Sequence, residues 1–234
     1  MPARYAHLHL HSEYSLVDST VRIKELVSAC AARSLPAVAI TDQNNLFSLV
    51  KFYRAAEGAG IKPIAGADVL VADGTAAASR LTLLCRDRDG YLRLSQLLTQ
   101  AWMEGHRHDG VVIRPQWLRD GTDGLFAIAG PGSEPGQLLA ANRPELATQA
   151  LRDLQASFGE RLHLELLRTG RAGEDAFNGF ALDASQALGL PVVASNDVRF
   201  IDAEGFDAHE ARVCIASGRV LDDSRRPRDY SAGQ

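Results

Sequence analysis

Cysteine is scarce in this chain: Cys30, Cys85 and Cys214 are three among 234 residues, and they lie far apart. That spacing builds neither a disulfide framework nor a thiolate metal cluster, and a reducing compartment is the simple reading. Long hydrophobic runs are missing as well. No stretch reaches the length of a membrane span, and no apolar run follows a basic start as in a secretory leader. A soluble intracellular domain is therefore expected. Excess positive charge is absent too, since 25 Lys+Arg against 29 Asp+Glu leave a net charge of -4. Together with the lack of interleaved basic and aromatic runs, this argues against direct binding of single-stranded DNA. The glycine-rich phosphate signatures of dinucleotide and nucleoside-triphosphate sites are not found, and no internal repeat is evident.

What is present starts at the first strand. In Tyr5-Ala6-His7-Leu8-His9-Leu10-His11, histidine alternates with leucine. In a regular strand that alternation sets His7, His9 and His11 on one face. Asp18 follows seven residues after His11, and imidazole with carboxylate is a proper donor set for zinc, manganese or iron. The plain alternative is a row of hydrogen-bonded histidines on an exposed strand. Asp197, just after the apolar strand Pro191–Ser195, divides the same way between ligand and turn residue. Asp42, Asn44 and Asn45 are equally well read as a turn.

Apolar periodicity predicts helices over about 21–33, 46–58, 91–102, 135–141, 145–157, 174–188 and 205–217, with Ser19 or Thr20 as cap of the first. Strands are predicted at Ala37–Thr41, within Ile61–Val71 with a break at Gly66, at Leu81–Cys85, Leu125–Ala129, Arg161–Leu167 and Pro191–Ser195, with a short one at Val111–Ile113. About seven alternations within one domain's length favour a parallel sheet with helical crossovers. Charged residues recur beside the strands: Asp18, Asp42, Asp68, Arg80 and Asp197. A closed α/β barrel would gather them at one face. The barrel is expected over 1–218, and 219–234 as a tail or linker.

Four stretches carry a resemblance. His7–Asp18, Ala39-Ile40-Thr41-Asp42, Gly58–Asp68 and Leu190–Phe200 are similar to the polymerase-and-histidinol-phosphatase (PHP) domain. More narrowly, they resemble the version at the N-terminus of the bacterial replicative DNA polymerase III alpha subunit, and the likeness includes Leu164–Arg171. The resemblance implies a distorted (β/α)7 barrel of the metallo-hydrolase type, with a three-metal site at the mouth of active members. His9 and His11 match that site's opening pair, Asp18 its first carboxylate and Asp197 its late aspartate. Other ligand positions depart from the pattern: Gln43, Arg80, Thr169 and Arg199 stand where histidines are expected, Asp68 where glutamate is usual, and Pro131 where cysteine is.

A guanidinium offers a metal no lone pair and repels it. Arg80 and Arg199 are thus expected to replace the cations, neutralising Asp18, Asp68 and Asp197, with Gln43 a structural or phosphate-binding position. A vestigial catalytic site at His9, His11, Asp18 and Asp197 then binds no cofactor, the alternative being a single Zn or Mn ion on those four residues. The resemblance further implies a non-catalytic module of a cytoplasmic bacterial protein that as a whole is a DNA-directed DNA polymerase, a nucleotidyltransferase, with its Mg and its catalytic aspartates in a downstream domain. It implies three partners: the other polymerase domains, the proofreading exonuclease subunit, and DNA through the full-length enzyme. The competing reading is a metal-dependent phosphoesterase or pyrophosphatase in which Arg80 or Arg199 clamps phosphate.

Overall fold

The computed structural model describes residues 5–16, 18–108, 110–226 and 228–233. Val17, within the His7–Asp18 stretch quoted above, Pro227 in the predicted tail, and the outermost residues of the predicted domain and tail lie outside that set.

Among the described residues, eight strands and eight α-helices follow in chain order. The strands are β1 (Ala37–Ile40), β2 (Lys62–Val71), β3 (Ser79–Cys85), β4 (His106–Arg107), β5 (Gly110–Val111), β6 (Leu125–Ala129), β7 (Leu162–Leu167) and β8 (Val192–Ser195). The helices are α1 (Ile23–Ala32), α2 (Leu49–Gly58), α3 (Arg88–Glu104), α4 (Pro115–Arg119), α5 (Glu134–Ala140), α6 (Pro144–Phe158), α7 (Glu174–Leu188) and α8 (Phe206–Ser217). Local chemistry sets several of their starts. Asp87 caps α3 by accepting from the Gly90 amide at 2.9 Å, and proline takes the first position of α4 and α6 and the second of α5, where a missing N–H costs nothing.

The main sheet has six strands in the order β1-β2-β3-β6-β7-β8. It is mixed rather than parallel as expected, because β3 runs antiparallel to both β2 and β6. The short connection after Val71 lets the chain turn straight back instead of crossing over a helix. Nor does Gly66 break β2, which is continuous. A Cβ at Gly66 would lie 2.5 Å from the Leu83 carbonyl oxygen, so glycine there permits the close β2–β3 approach.

The sheet curls, and the gap between its edge strands is bridged by the N-terminal segment through single contacts, His7 with Val38 and Leu10 with Val198. The barrel is therefore incompletely closed. His7 accepts from the Ala39 amide and Leu10 from the Thr41 amide, so the segment advances three residues while β1 advances two. That is a bulge, and it breaks the alternation. Leu8 and His9 both face the interior side, Leu10 packs outward with α1 and α2, and His7 leaves the row to meet the Tyr5 ring edge-on at 4.9 Å. Ser19 does not cap α1. Its hydroxyl donates to the carbonyls of His11 and Arg199, tying this segment to the chain beyond β8.

The core lies mainly between sheet and helices. Val38, Ile40, Phe52 and Ile23 form one part of it, and Leu81, Leu83, Leu94, Leu97 and Phe158 belong to the larger. Each large side chain buried there is worth about 1.5–3 kcal/mol. Inside the curl, a small cluster of Ala39, Leu84 and Ile128 separates the mouth from the floor.

Candidate functional site

The mouth gathers charge from nearly every stave. β2 supplies Asp68 and β7 Glu165; the segment after β8 supplies Asp197 and Arg199, and the N-terminal segment His9 and His11. β3 is reversed, so its contribution comes from its beginning, Arg80, whose neighbour Thr82 sits opposite Asp68 and donates to it at 3.1 Å. Gly130 at the end of β6 makes room for Glu165, since a Cβ there would lie 2.1 Å from Glu165 Oε2.

Both histidines are oriented by carboxylates. His9 Nδ1 lies 2.8 Å from Glu165 Oε1 and His11 Nδ1 lies 2.9 Å from Asp18 Oδ1. Their Nε2 atoms turn toward Asp68 Oδ2, at 3.6 Å from His9 and 3.2 Å from His11. His9 Nε2 is also 3.2 Å from Asp197 Oδ1. Burial opposes a charge on His9, but the carboxylates of Asp197 and Glu165, with bonds to Asp68 and Glu165, push its pKa up to about 10.

The arginines stand among the aspartates. Arg199 is fully buried, with Nη2 2.5 Å from Asp197 Oδ1 and Nε 3.7 Å from Asp18 Oδ2. Arg80 reaches Asp68 at 3.4 Å and Asp18 at 3.7 Å. Arg171 bonds Asp197 at 2.9 Å and Glu174 at 3.2 Å. Burial alone would raise the pKa of Asp18, Asp68 and Asp197, yet all three are held low. Arg199, His11 and Arg80 act on Asp18, His11 and His9 on Asp68, and Arg199 and His9 on Asp197.

Of the predicted positions, His9, His11, Asp18, Asp68, Arg80, Asp197 and Arg199 come together. Gln43 meets Asp68 only as a backbone bridge partner, and its amide is held by Ser15 Oγ. Thr169 bonds Glu174 through both its amide and its hydroxyl, and Pro131 lines the mouth. Asp42 is a structural hub that accepts from the Ser12 amide and from the hydroxyls of Ser12, Ser15 and Ser48. Sequence reading overlooked Glu165, Arg171, Glu174 and Tyr230. The signal for Glu165 is a lone acid in the apolar run Leu162–Leu167, on the inward side of the pleat. Tyr230 gives no such signal, because the tail arrives from far along the chain. Its hydroxyl donates to Asp18 Oδ2 at 3.2 Å, its ring meets His209 edge-on at 4.5 Å, and Ser231 bonds the Thr169 carbonyl. Residues 228–231 thus lie across the mouth and help enclose a cavity of about 410 Å³.

The donors fit a multinuclear metal centre badly and a single ion in part. Among the described residues, His9, His11 and Asp68 each offer a ligand atom, all within 4.8 Å of one another. Asp68, rather than Asp18 and Asp197, completes that cluster. The two imidazoles are oriented through Nδ1 as ligands usually are. An ion there must still displace the proton on His9 and compete with Arg80 for Asp68. Beyond the trio, the places where further ligands would stand hold arginine. Arg80 retains 35% exposure of its side chain, so screening by water weakens its pairs. Arg80→Ala should accordingly cost about 1 kcal/mol in a urea titration.

A model of the PHP domain matches residues 7–169. The chain is 54% identical to the DNA polymerase III subunit alpha of Xylella fastidiosa strain Temecula1, over 98% of this chain and 20% of that protein. It is 42% identical to the same subunit of Escherichia coli K12, over 99% of the chain and again 20% of the relative. It therefore spans about a fifth of the length of these curated relatives. In structure it resembles a Chromobacterium violaceum amidohydrolase solved with sulfate and no metal, at a TM-score of 0.55 and 18% identity, covering 88% of this chain and 96% of that one. That likeness bears on the fold alone. None of the helices among the described residues is long and apolar enough to cross a membrane. The incompletely closed mixed barrel, the histidine pair at its mouth and the match over residues 7–169 lead to one statement: this chain belongs to the PHP domain family.

Proposed function

We propose that this chain is the PHP module of a bacterial replicative DNA polymerase III alpha subunit, and that it serves there as a non-catalytic scaffold and docking domain. One observation carries the non-catalytic part: Arg80, Arg171 and Arg199 already pair with the mouth aspartates, and the carboxylates around His9 favour its charged form. A metal would enter a site whose aspartates are already paired with tethered cations. The whole protein then synthesises DNA in the cytoplasm, with its magnesium and its DNA contacts in other domains. Residues 219–234 lead toward those domains, and the proofreading exonuclease subunit is a further partner. The near-complete coverage of this chain by alpha subunits supports the assignment.

The His9–His11–Asp68 cluster favours a second reading, a single zinc or manganese ion activating water against a phosphoester, with Arg80 on the phosphate. Elemental analysis of tag-free protein purified without chelator separates the two. The scaffold reading expects less than about 0.1 metal per chain and no hydrolysis of p-nitrophenyl phosphate above buffer. One equivalent of zinc or manganese, lost together with hydrolysis in His11→Ala, would establish the enzyme instead.

A further inference from the structure

The barrel has a second opening, at the end opposite the charged mouth. Leu8, Ile64, Leu84, Phe126 and Val193 come from five different staves and turn inward at the floor, where most of them are only partly buried. They line a bowl of about 820 Å³. A barrel interior is ordinarily filled by side chains, so apolar residues left open at its end are the kind of concave surface that marks a binding site.

Two features of the rim define the occupant. The first is charge. Arg54 and Lys62 line the bowl and have no ion-pair partner among the described residues. Asp87 is the carboxylate that lines it, and it is already committed to the Gly90 amide and to Arg86 Nε, both at 2.9 Å. The rim is therefore short of negative charge, although the chain as a whole carries -4. The second feature is extent. The apolar surface runs on over the outer face of α2, where Val50 and Tyr53 line the bowl and Val50 also borders an adjoining depression with Phe47. These three are about half exposed or more. Such a surface is longer than a small molecule needs and suits an extended chain or a helix.

We propose that the barrel floor and the outer face of α2 form a docking site for a segment of a partner protein that presents a large apolar side chain flanked by carboxylates. The apolar anchor enters the bowl between Ile64 and Phe126, and the flanking acids meet Arg54 and Lys62. This rests on the docking half of the function proposed above and is independent of the charge balance at the mouth.

Selection of random peptides displayed on phage against the full 234-residue chain tests it. The enriched sequences should pair Leu, Phe or Trp with Asp or Glu. The best of them, synthesised and titrated by fluorescence anisotropy, should lose at least tenfold in affinity against the double variant R54E/K62E. That variant changes only exposed rim charges, so its thermal midpoint should match the parent's. Tyr53→Ala should weaken binding as well, and doubling the salt should weaken the parent complex but not the residual binding of the double variant. The proposal is overturned by a failure to enrich, by enriched peptides without acids, or by affinity unchanged in R54E/K62E. Displacement of the peptide by laurate at lower concentration would make the bowl a small-molecule site, and self-association of the chain through this face would make the occupant a second copy. Either result also overturns it. Metal found at the mouth would leave it standing.

Discussion

Arg199→Ala is expected to cost the fold about 3–5 kcal/mol, the loss typical when one partner of a buried ion pair is removed. Its guanidinium has no exposure at all and lies between Asp197 at 2.5 Å and Asp18 at 3.7 Å. Among the described residues none of its nitrogens has a well-aligned hydrogen-bond acceptor, so it acts mainly as fixed charge rather than as a fork of directed bonds. Two consequences follow. Arg199→Met, which preserves volume but not charge, should be nearly as damaging as alanine, while Arg199→Lys should recover part of the loss. Adding Asp197→Asn to Arg199→Met should return stability, because the removed cation then leaves one fewer carboxylate uncompensated. Urea titrations at pH 7 measure all four variants. A loss under 1 kcal/mol in Arg199→Ala would mean that water or protons neutralise Asp18 and Asp197 without it, and the arginine-for-metal account would fail.

Stability should be highest between about pH 4 and 6.5 and fall on both sides, and the same network sets both arms. Asp18, Asp68 and Asp197 have folded pKa values below their ordinary 3.8. Their contribution is therefore complete above pH 4 and is lost as pH falls below that value through the folded ones. His9 works in the opposite sense. Its folded pKa near 10 lies above the ordinary 6.5, so its contribution is complete below pH 6.5 and fades as pH rises toward 10. At 1.36 kcal/mol per pH unit the alkaline arm is on the order of several kcal/mol. His9→Gln should flatten that arm between pH 7 and 10 while leaving the acid arm in place. Denaturation midpoints taken at unit pH steps decide the matter. A parent profile that is level from pH 7 to 10 would show that His9 is neutral, and its Nε2 would then be free to accept a metal.

Such an outcome would link the two readings of the mouth. Proton and metal compete for His9 Nε2, and Arg80 competes with a metal for Asp68 Oδ2. The choice between scaffold and hydrolase is thus a choice between occupants of one partial donor cluster, and arginine holds the advantage because it is covalently tethered there. The tail adds to this, since Tyr230 bonds Asp18 and lies over the cavity.

Much of the fold was legible in the residues. The apolar runs at β1, β6 and β8 and the helical spacing of α1, α3 and α7 are local patterns, and they appear where periodicity put them. The inward-facing acids and arginines were legible as charges beside strands. The direction of β3 was not, because a short apolar strand reads the same both ways and only the length of its connections distinguishes them. The bulge that expels His7 was equally hidden, since strict alternation is what the letters display and the extra residue exists only against β1 as a partner.

By itself, then, the sequence determined the element order, the family and the identities of the groups that could meet at the mouth, because all three follow from patterns along the chain. Only the tertiary structure decided which of those groups pair. His9 meets Glu165 from 156 positions away, Tyr230 meets Asp18 from 212, and Arg199 rather than Arg80 proves to be the buried cation. Charge pairing depends on distances of a few ångströms and on exclusion of water, and neither exists until the staves have curled together.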